Sequence, residues 1–421
     1  MTEQTELKRR ISLPLLTFYG LGTILGAGIY VLIGEVVAEA GMRAPLSFLV
    51  AALLAVFTAL SYAELSARFP RSAGEAVYLQ EAFHLRSLSL LMGLMVITVG
   101  SVSSAALANG FVGYAQLFVE LVSQNNGNRA VALLVSLPAW QIISILILGL
   151  GLIAAWGIAA SVWAATLITV VEIGGLIMIV MVAGDSLLSL PIRWQEITSM
   201  SANGSSFAIL AGAFLAFYAF VGFEDMVNVA EEVKEPKKNL PRGIILALII
   251  SSLLYFLVAL VSVLSVPVQE LAGNSAPLAK VYSNATGEPP ILISLISMVA
   301  VINGALIQII MASRVLYGLS WQGWLPGWLS YVHPKRQTPL YATMIVTLFI
   351  LVLALWLPLV TLVKVTSLIT LLVFALVNLS LLRVKRHDRH PAGIMVFPAW
   401  VPMSGFIVSV SFILFQLYVG L

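Results

Sequence analysis

The sequence predicts an all-α integral membrane protein of about eleven transmembrane helices. They are ordered as two blocks of five plus one, with helices 1 and 6 interrupted. Three observations carry this prediction. Of 421 residues, 60% are hydrophobic and only 10% charged, with a mean hydropathy of +1.02, where soluble domains carry roughly a quarter charged residues. Apolar runs near 20 residues, the length that spans a bilayer, recur along the whole chain. Lys and Arg lie between these runs and alternate strongly in number from one side to the other.

The runs are Leu13–Gly34, Pro45–Ala67, Leu88–Gln116, Ala130–Ala154, Ser161–Gly184, Ser206–Val229, Pro241–Val266, Pro290–Leu319, Leu340–Leu357, Val360–Leu382 and Ile394–Gly420. With Met1 on the cytoplasmic side, 17 of the 22 Lys and Arg residues fall inside and five (Arg43, Arg129, Arg193, Lys280, Lys364) fall outside. The positive-inside rule therefore supports both the count and the orientation. An odd count puts Leu421 outside. The runs from Leu88 and Pro290 exceed what a vertical helix needs, so those helices are expected to tilt or to project. Met1–Arg10 is polar and basic and shows no signal peptide.

The sixth run organises the rest. Phe214–Phe223 is apolar, and then Glu224 and Asp225 arrive about halfway through. A carboxylate at bilayer depth costs about 3 kcal/mol or more, so it faces protein or water. Gly222, just before the pair, is a weak helix former and a natural break. In the first run Gly20, Gly22, Gly26, Gly28 and Gly34 fall within fifteen residues. They suit close helix packing or a second break near Ile24–Gly28. The break is favoured because the two interrupted runs open matching blocks, 13–184 and 206–382, between a cytoplasmic tail at 1–12 and an additional helix at 394–420. Interrupted helices at corresponding positions of two halves point to a binding site. Each block holds five runs, so equivalent helices enter from opposite sides, which makes the halves an inverted repeat by parity.

The connections have their own signals. Phe69–Ser87 suits a short amphipathic helix on the cytoplasmic face. Pro236 and Pro241 mark the boundary of the seventh run. Glu231 and Glu232 are expected to pair with Arg68, Arg71 or Lys234. Several function classes drop out. There is no Cys, so thiolate and disulfide chemistry are absent. The four His lie in expected loops, and no HExxH or GxSxG motif appears, so neither an enzyme nor a metal or other cofactor is expected. The basic residues report topology, not nucleic acid.

Four stretches together resemble the amino acid–polyamine–organocation superfamily of transporters. They are GLGTILGAGIYVLIG at Gly20–Gly34, SYAELSARFPRSAGEAVYL at Ser61–Leu79, FVGFEDMVNVAEEVKEPKKNLPRGI at Phe220–Ile244, and ASRVLYGLSWQGWLPGWLSYVHPKRQTPLYA at Ala312–Ala342. The likeness runs through most of Leu13–Leu382 and is greatest to the bacterial cationic-amino-acid-transporter-like permeases. It implies a leucine-transporter-like five-plus-five inverted-repeat fold with the substrate between helices 1 and 6. Many members have twelve helices where eleven are counted here, a difference that bears on oligomeric contacts and not on the ten-helix core.

A free amino acid presents a carboxylate and an ammonium. N–H groups at a half-helix start suit the first, and unpaired carbonyls at a half-helix end suit the second. The resemblance places the carboxylate on Gly26, Ala27 and Gly28. It places the ammonium on carbonyls of Thr23 or Ile24 and of Tyr218, Ala219 and Val221, with Tyr218 as an aromatic gate. Glu224 aligns with a site-facing position; contact to a cationic side chain, proton coupling and support of the broken helix stay open. Glu172, an acid in the apolar stretch TLITVVEIGGLIMIV, is the candidate for proton coupling, since membrane proton relays are built from such groups. Several relatives carry Lys there in place of a sodium ion, so their mechanism does not transfer. Structural burial beside a polar group is the alternative for Glu172, with Ser313 a candidate neighbour. The expected function is alternating-access, proton-coupled uptake of small or medium neutral amino acids across a bacterial inner membrane. The partners are the amino acid, a proton and the lipid bilayer. A cationic amino acid or polyamine transporter is the first alternative, and a transport-dead sensor on the same fold is the second.

Overall fold

The computed structural model describes residues 9–26, 28–71, 74–126, 137–156, 162–198, 205–334, 336, 338–389 and 391–419. Most of the tail at 1–12, Ala27, the beginning of the run from Ala130, and Leu421 therefore lie outside the described residues, as do the basic residues Lys8, Arg129 and Lys335.

The first run is two helices, α1 (Leu13–Leu25) and α2 (Gly28–Ala40). Then come α3 (Ala44–Arg68), the short α4 (Gly74–Phe83), α5 (Arg86–Asn126), α6 (Ala139–Trp156) and α7 (Val162–Val182). After them come α8 (Leu190–Thr198), α9 (Ser205–Phe217), α10 (Pro236–Ser265), α11 (Pro277–Thr286), α12 (Ile291–Trp321), α13 (Leu340–Trp356), α14 (Leu359–His387) and α15 (Trp400–Val419). Among the described residues the regular structure is helical, and one isolated bridge joins Ile11 to Val233. Among the described residues eight helical stretches are long and apolar enough to cross a membrane, or nine with a pair bent by 50° at Ala183. That count takes Leu13–Arg68 as one stretch and omits the shorter apolar helix Leu340–Trp356. Each of the eleven expected runs overlaps at least one described helix, and the first overlaps two.

Two helices of nine and ten residues appear where sequence reading expects only loops. Helix α8 follows the bend after α7, and its Ile197 packs with Leu260 and Leu264 of α10. Helix α11 lies in the long connection after α10, which returns over α2 through the bond from Gly273 N–H to the Gly34 carbonyl, 3.1 Å.

The longest helices form the interior. Helix α12 packs along α5, and α10 along α3, more extensively than any other pair. Helix α1 lies against α10, and α9 against α3, so the two broken segments sit between these two pairs. Lipid-length helices such as α6 and α15 keep much of their apolar surface outward: Trp140, Leu152 and Leu417 are more than half exposed, as expected where the solvent is hydrocarbon.

One end of the bundle holds a buried charge network. Glu64 of α3 is fully buried and takes Arg68 at 2.7 Å and Lys385 of α14 at 2.6 Å. It also accepts the Phe397 N–H at 2.9 Å. Arg68, expected to meet Glu231 or Glu232, is therefore engaged by Glu64 and by the Asp388 carbonyl. Glu232 instead contributes its backbone, whose carbonyl accepts the N–H groups of Arg10 and Ile11.

Candidate functional site

Two interruptions build the site. Helix α1 stops at Leu25 and α2 resumes at Gly28. Helix α9 stops at Phe217, a 3-10 turn spans Tyr218–Phe220, and Val221 is extended. A 3-10 segment then runs from Phe223 to Glu232. The cause of the second break is local. Gly222 has φ +127°, a conformation that only glycine adopts readily, and a Cβ there would sit 2.4 Å from the Thr23 carbonyl. The two breaks thus touch. They touch again at Gly28, where a Cβ would meet the Ala219 Cα at 2.3 Å.

Of the sequence-predicted contacts, Thr23, Ile24, Gly26, Gly28, Tyr218 and Val221 line one buried cavity. Ala219 lies against Gly28, and Ala27 is outside the described residues. Helix α5 contributes Ser103 and Leu107 to the lining, and α12 contributes Gly304, Ile307 and Gln308. The lining carries no ionised side chain. In this conformation the cavity measures about 20 Å³, far below the roughly 300–1,000 Å³ of ligand pockets. The breaks are closed on one another, and a ligand of amino acid size requires them to separate.

Four residues that sequence reading does not single out complete the geometry. Tyr255 of α10 is fully buried, and its hydroxyl donates toward the Ile24 carbonyl (2.8 Å) and the Ala219 carbonyl (2.9 Å). One hydroxyl thus serves a freed carbonyl at each break. Ser103 holds the gate candidate. The Tyr218 hydroxyl is 3.0 Å from both the Ser103 carbonyl and the Ser103 Oγ. Gly304 lets α12 approach Gly26, since a Cβ on Gly304 would lie 2.8 Å from the Gly26 carbonyl. Gln308 donates to Asp225 Oδ2 at 3.2 Å. Polar or small residues interrupting an apolar run, as in VINGALIQII, were the available signal.

Glu172 and Glu224 sit elsewhere. Glu172 is fully buried on α7. Its Oε1 accepts from Asn303 Nδ2 of α12 at 2.9 Å, and its Oε2 has no partner. The Tyr30 hydroxyl of α2 donates to the Glu172 backbone carbonyl at 2.5 Å. Ser313, the neighbour suggested from sequence, donates instead to the Ile309 carbonyl one turn back. Asn303 is ten residues away from it, about 15 Å along the helix. Glu224 Oε2 accepts the Gly222 N–H at 2.8 Å, capping the break from outside the cavity. Among the described residues no three acidic or His side chains come together as a metal site.

Comparison with known proteins bears on this geometry. The family described as amino acid permease matches residues 11–420. The branched-chain amino acid permease BcaP of Bacillus subtilis is 31% identical over 413 residues, covering 94% of this chain and 86% of that protein. Cationic amino acid transporter 4 of Homo sapiens is 30% identical over 397 residues, and the chain spans 62% of its length. The methylthioribose transporter of Bacillus subtilis is 27% identical over 402 residues, covering 84% of it.

Proposed function

Because the chain belongs to the amino acid permease family, we propose that it is a secondary transporter taking up neutral, apolar amino acids, branched-chain ones first, by alternating access and proton symport. The observation that carries the substrate class is the lining of the closed cavity. Ile24, Leu107, Val221 and Ile307 offer apolar surface, and no carboxylate faces it to hold a cationic side chain. Glu224 and Asp225, the natural counter-charges for arginine or a polyamine, lie outside that lining. The likeness to a branched-chain permease points the same way. In this reading the substrate carboxylate meets N–H groups at the start of α2, and its ammonium meets the carbonyls now gathered by Tyr255.

The inverted repeat belongs to the same proposal. The packing supports it through equivalent pairs: the second run with the seventh (α3 and α10), the third with the eighth (α5 and α12), and each broken run against the other half's second helix. The proposed membrane is the bacterial inner membrane, with the N-terminus cytoplasmic and the C-terminus outside.

Glu172 is the proposed coupling acid. It is buried beside the site, tied to α12 through Asn303 and to α2 through Tyr30, so its charge state bears on how these helices pack. The test uses purified protein in liposomes. Saturable uptake of leucine, isoleucine and valine is expected, competed by one another and not by arginine, lysine or putrescine. Glu172→Gln should bind leucine and exchange it at equal pH while failing to accumulate it when a pH gradient is the driving force. Uptake of arginine in preference to leucine would replace the substrate class, and pH-driven accumulation by Glu172→Gln would remove Glu172 from the coupling role.

A further inference from the structure

A second small cavity lies beyond Gln308, away from the breaks. Gln308 lines both. On α12 it is five residues past Asn303, the partner of Glu172, hence about 7.5 Å further along the axis. In the proposed orientation that direction is toward the cytoplasm.

Three carboxylates from two elements face this cavity: Glu75 from α4, and Glu224 and Asp225 from the 3-10 segment. Each has one oxygen held. Tyr62 donates to Glu75 Oε1 at 3.2 Å, the Gly222 N–H to Glu224 Oε2, and Gln308 to Asp225 Oδ2. No basic residue is among the lining. The rest of the lining is Val96, Val99 and Gly100 of α5, Met311 and Ala312 of α12, and Thr370 and Val373 of α14. Thr370 is the independent observation. The residue is 1% exposed and lines the cavity, and its buried hydroxyl has no hydrogen-bond partner. A buried hydroxyl without a partner is costly, so it marks a place for a small polar occupant. The volume is about 20 Å³, enough for one water with several polar partners and too small for an amino acid. The carboxylates do not converge as a metal site.

We propose that this chamber is a proton-exchange site, in which one water touching Thr370 relays a proton between Asp225 and Glu75, and Glu75 is the exit group to the cytoplasm. The inference rests on the proton-symport reading above. The step moves a proton only. The Asp225 carboxyl gives its proton to the water, the water hands one to the Glu75 carboxylate, and Glu75 passes it to cytoplasmic water when the inner side opens.

The groups that face Glu75 are few. Tyr62 of α3, Tyr78 of its own helix, Glu224 and Asp225 are the titratable neighbours. Tyr19 of α1 stands near Asp225 and also near Arg314 and Glu232. The walls from α5 and α14 are uncharged. Burial, the largest influence, pushes the Glu75 carboxyl from its ordinary 4.5 up to about 7, the range in which a group both takes and releases protons in a cell.

The test measures leucine-driven acidification of the lumen in proteoliposomes with a trapped pH dye, while the pH on the α4 side is varied from 6 to 8. Wild type should acidify with leucine, at a rate that changes around pH 7. Glu75→Gln should lose at least tenfold of that rate and its dependence on pH while still binding leucine, and Glu75→Asp should recover part of it. Thr370→Val, which keeps size and adds no charge, should slow acidification severalfold. If Glu75→Gln misfolds, Thr370→Val decides. Wild-type acidification with wild-type pH dependence in either variant overturns the chamber and leaves proton symport standing. A wild-type protein that transports leucine without acidifying the lumen overturns the symport reading itself, and the chamber with it.

Discussion

Gly28 separates two accounts of the first break. The family resemblance places the substrate carboxylate on Gly28. The structure shows a backbone there already: a Cβ at Gly28 would lie 2.3 Å from the Ala219 Cα and 2.5 Å from its Cβ. Carbon atoms rest about 3.5–4.0 Å apart, so Gly28→Ala must push the two breaks apart by about 1 Å or more. Overpacking of this kind costs about 1–3 kcal/mol, roughly 5- to 150-fold in the folding equilibrium. The assay is denaturant unfolding in mixed micelles, followed by the intrinsic fluorescence of the nine tryptophans. Ala219→Gly removes only the second-nearest atom, since the Cα remains. The double variant should therefore recover part of the loss and not all, and a double-mutant cycle measures that coupling. Gly28→Ala with wild-type stability and abolished leucine binding would refute the packing account and return the glycine to the ligand.

Three further outcomes are expected. Tyr218→Phe deletes the hydroxyl that meets Ser103; a loss of about 0.5–1.5 kcal/mol weakens leucine binding roughly two- to twelvefold, and unchanged affinity would mean the ring acts without its anchor. Lys385→Met leaves Glu64 buried with Arg68 as its remaining ion-pair partner; removing one side of a buried pair costs about 3–5 kcal/mol, read as a fall in thermal stability, and a stable variant would show that Arg68 suffices. Glu75 carries the pH dependence: its carboxyl titrates near 7 when folded against an ordinary 4.5, so the folded state holds a proton that the unfolded chain has lost, and stability falls as pH rises from about 4.5 to about 7, then levels. Glu75→Gln should flatten that slope and outlast wild type at pH 8, and an unaltered slope would assign it to other groups.

What the sequence determined by itself was one-dimensional. Hydrophobic length marked the long apolar helices, because a bilayer demands about 20 apolar residues wherever a helix crosses it. Gly222 beside Glu224–Asp225 marked the second break, because a positive φ and a buried acid are both legible in residue type. Thr23, Ile24, Gly26 and Gly28, on which the family resemblance places substrate contacts, line one cavity with Tyr218 and Val221 because they sit on the breaks themselves. Helices α8 and α11 were missed because nine- and ten-residue amphipathic segments between spans look like polar loops. What only tertiary structure decided was which residues from distant parts of the chain meet. Tyr255 reaches Ile24 across 231 positions, Lys385 reaches Glu64 across 321, and Asn303, not Ser313, reaches Glu172. Nothing in local composition encodes those partners. They follow from which faces of α3, α7, α10, α12 and α14 turn inward. Helix rotation is set by packing summed over the whole bundle, in an apolar solvent that leaves hydrophobic periodicity almost silent about which side is buried.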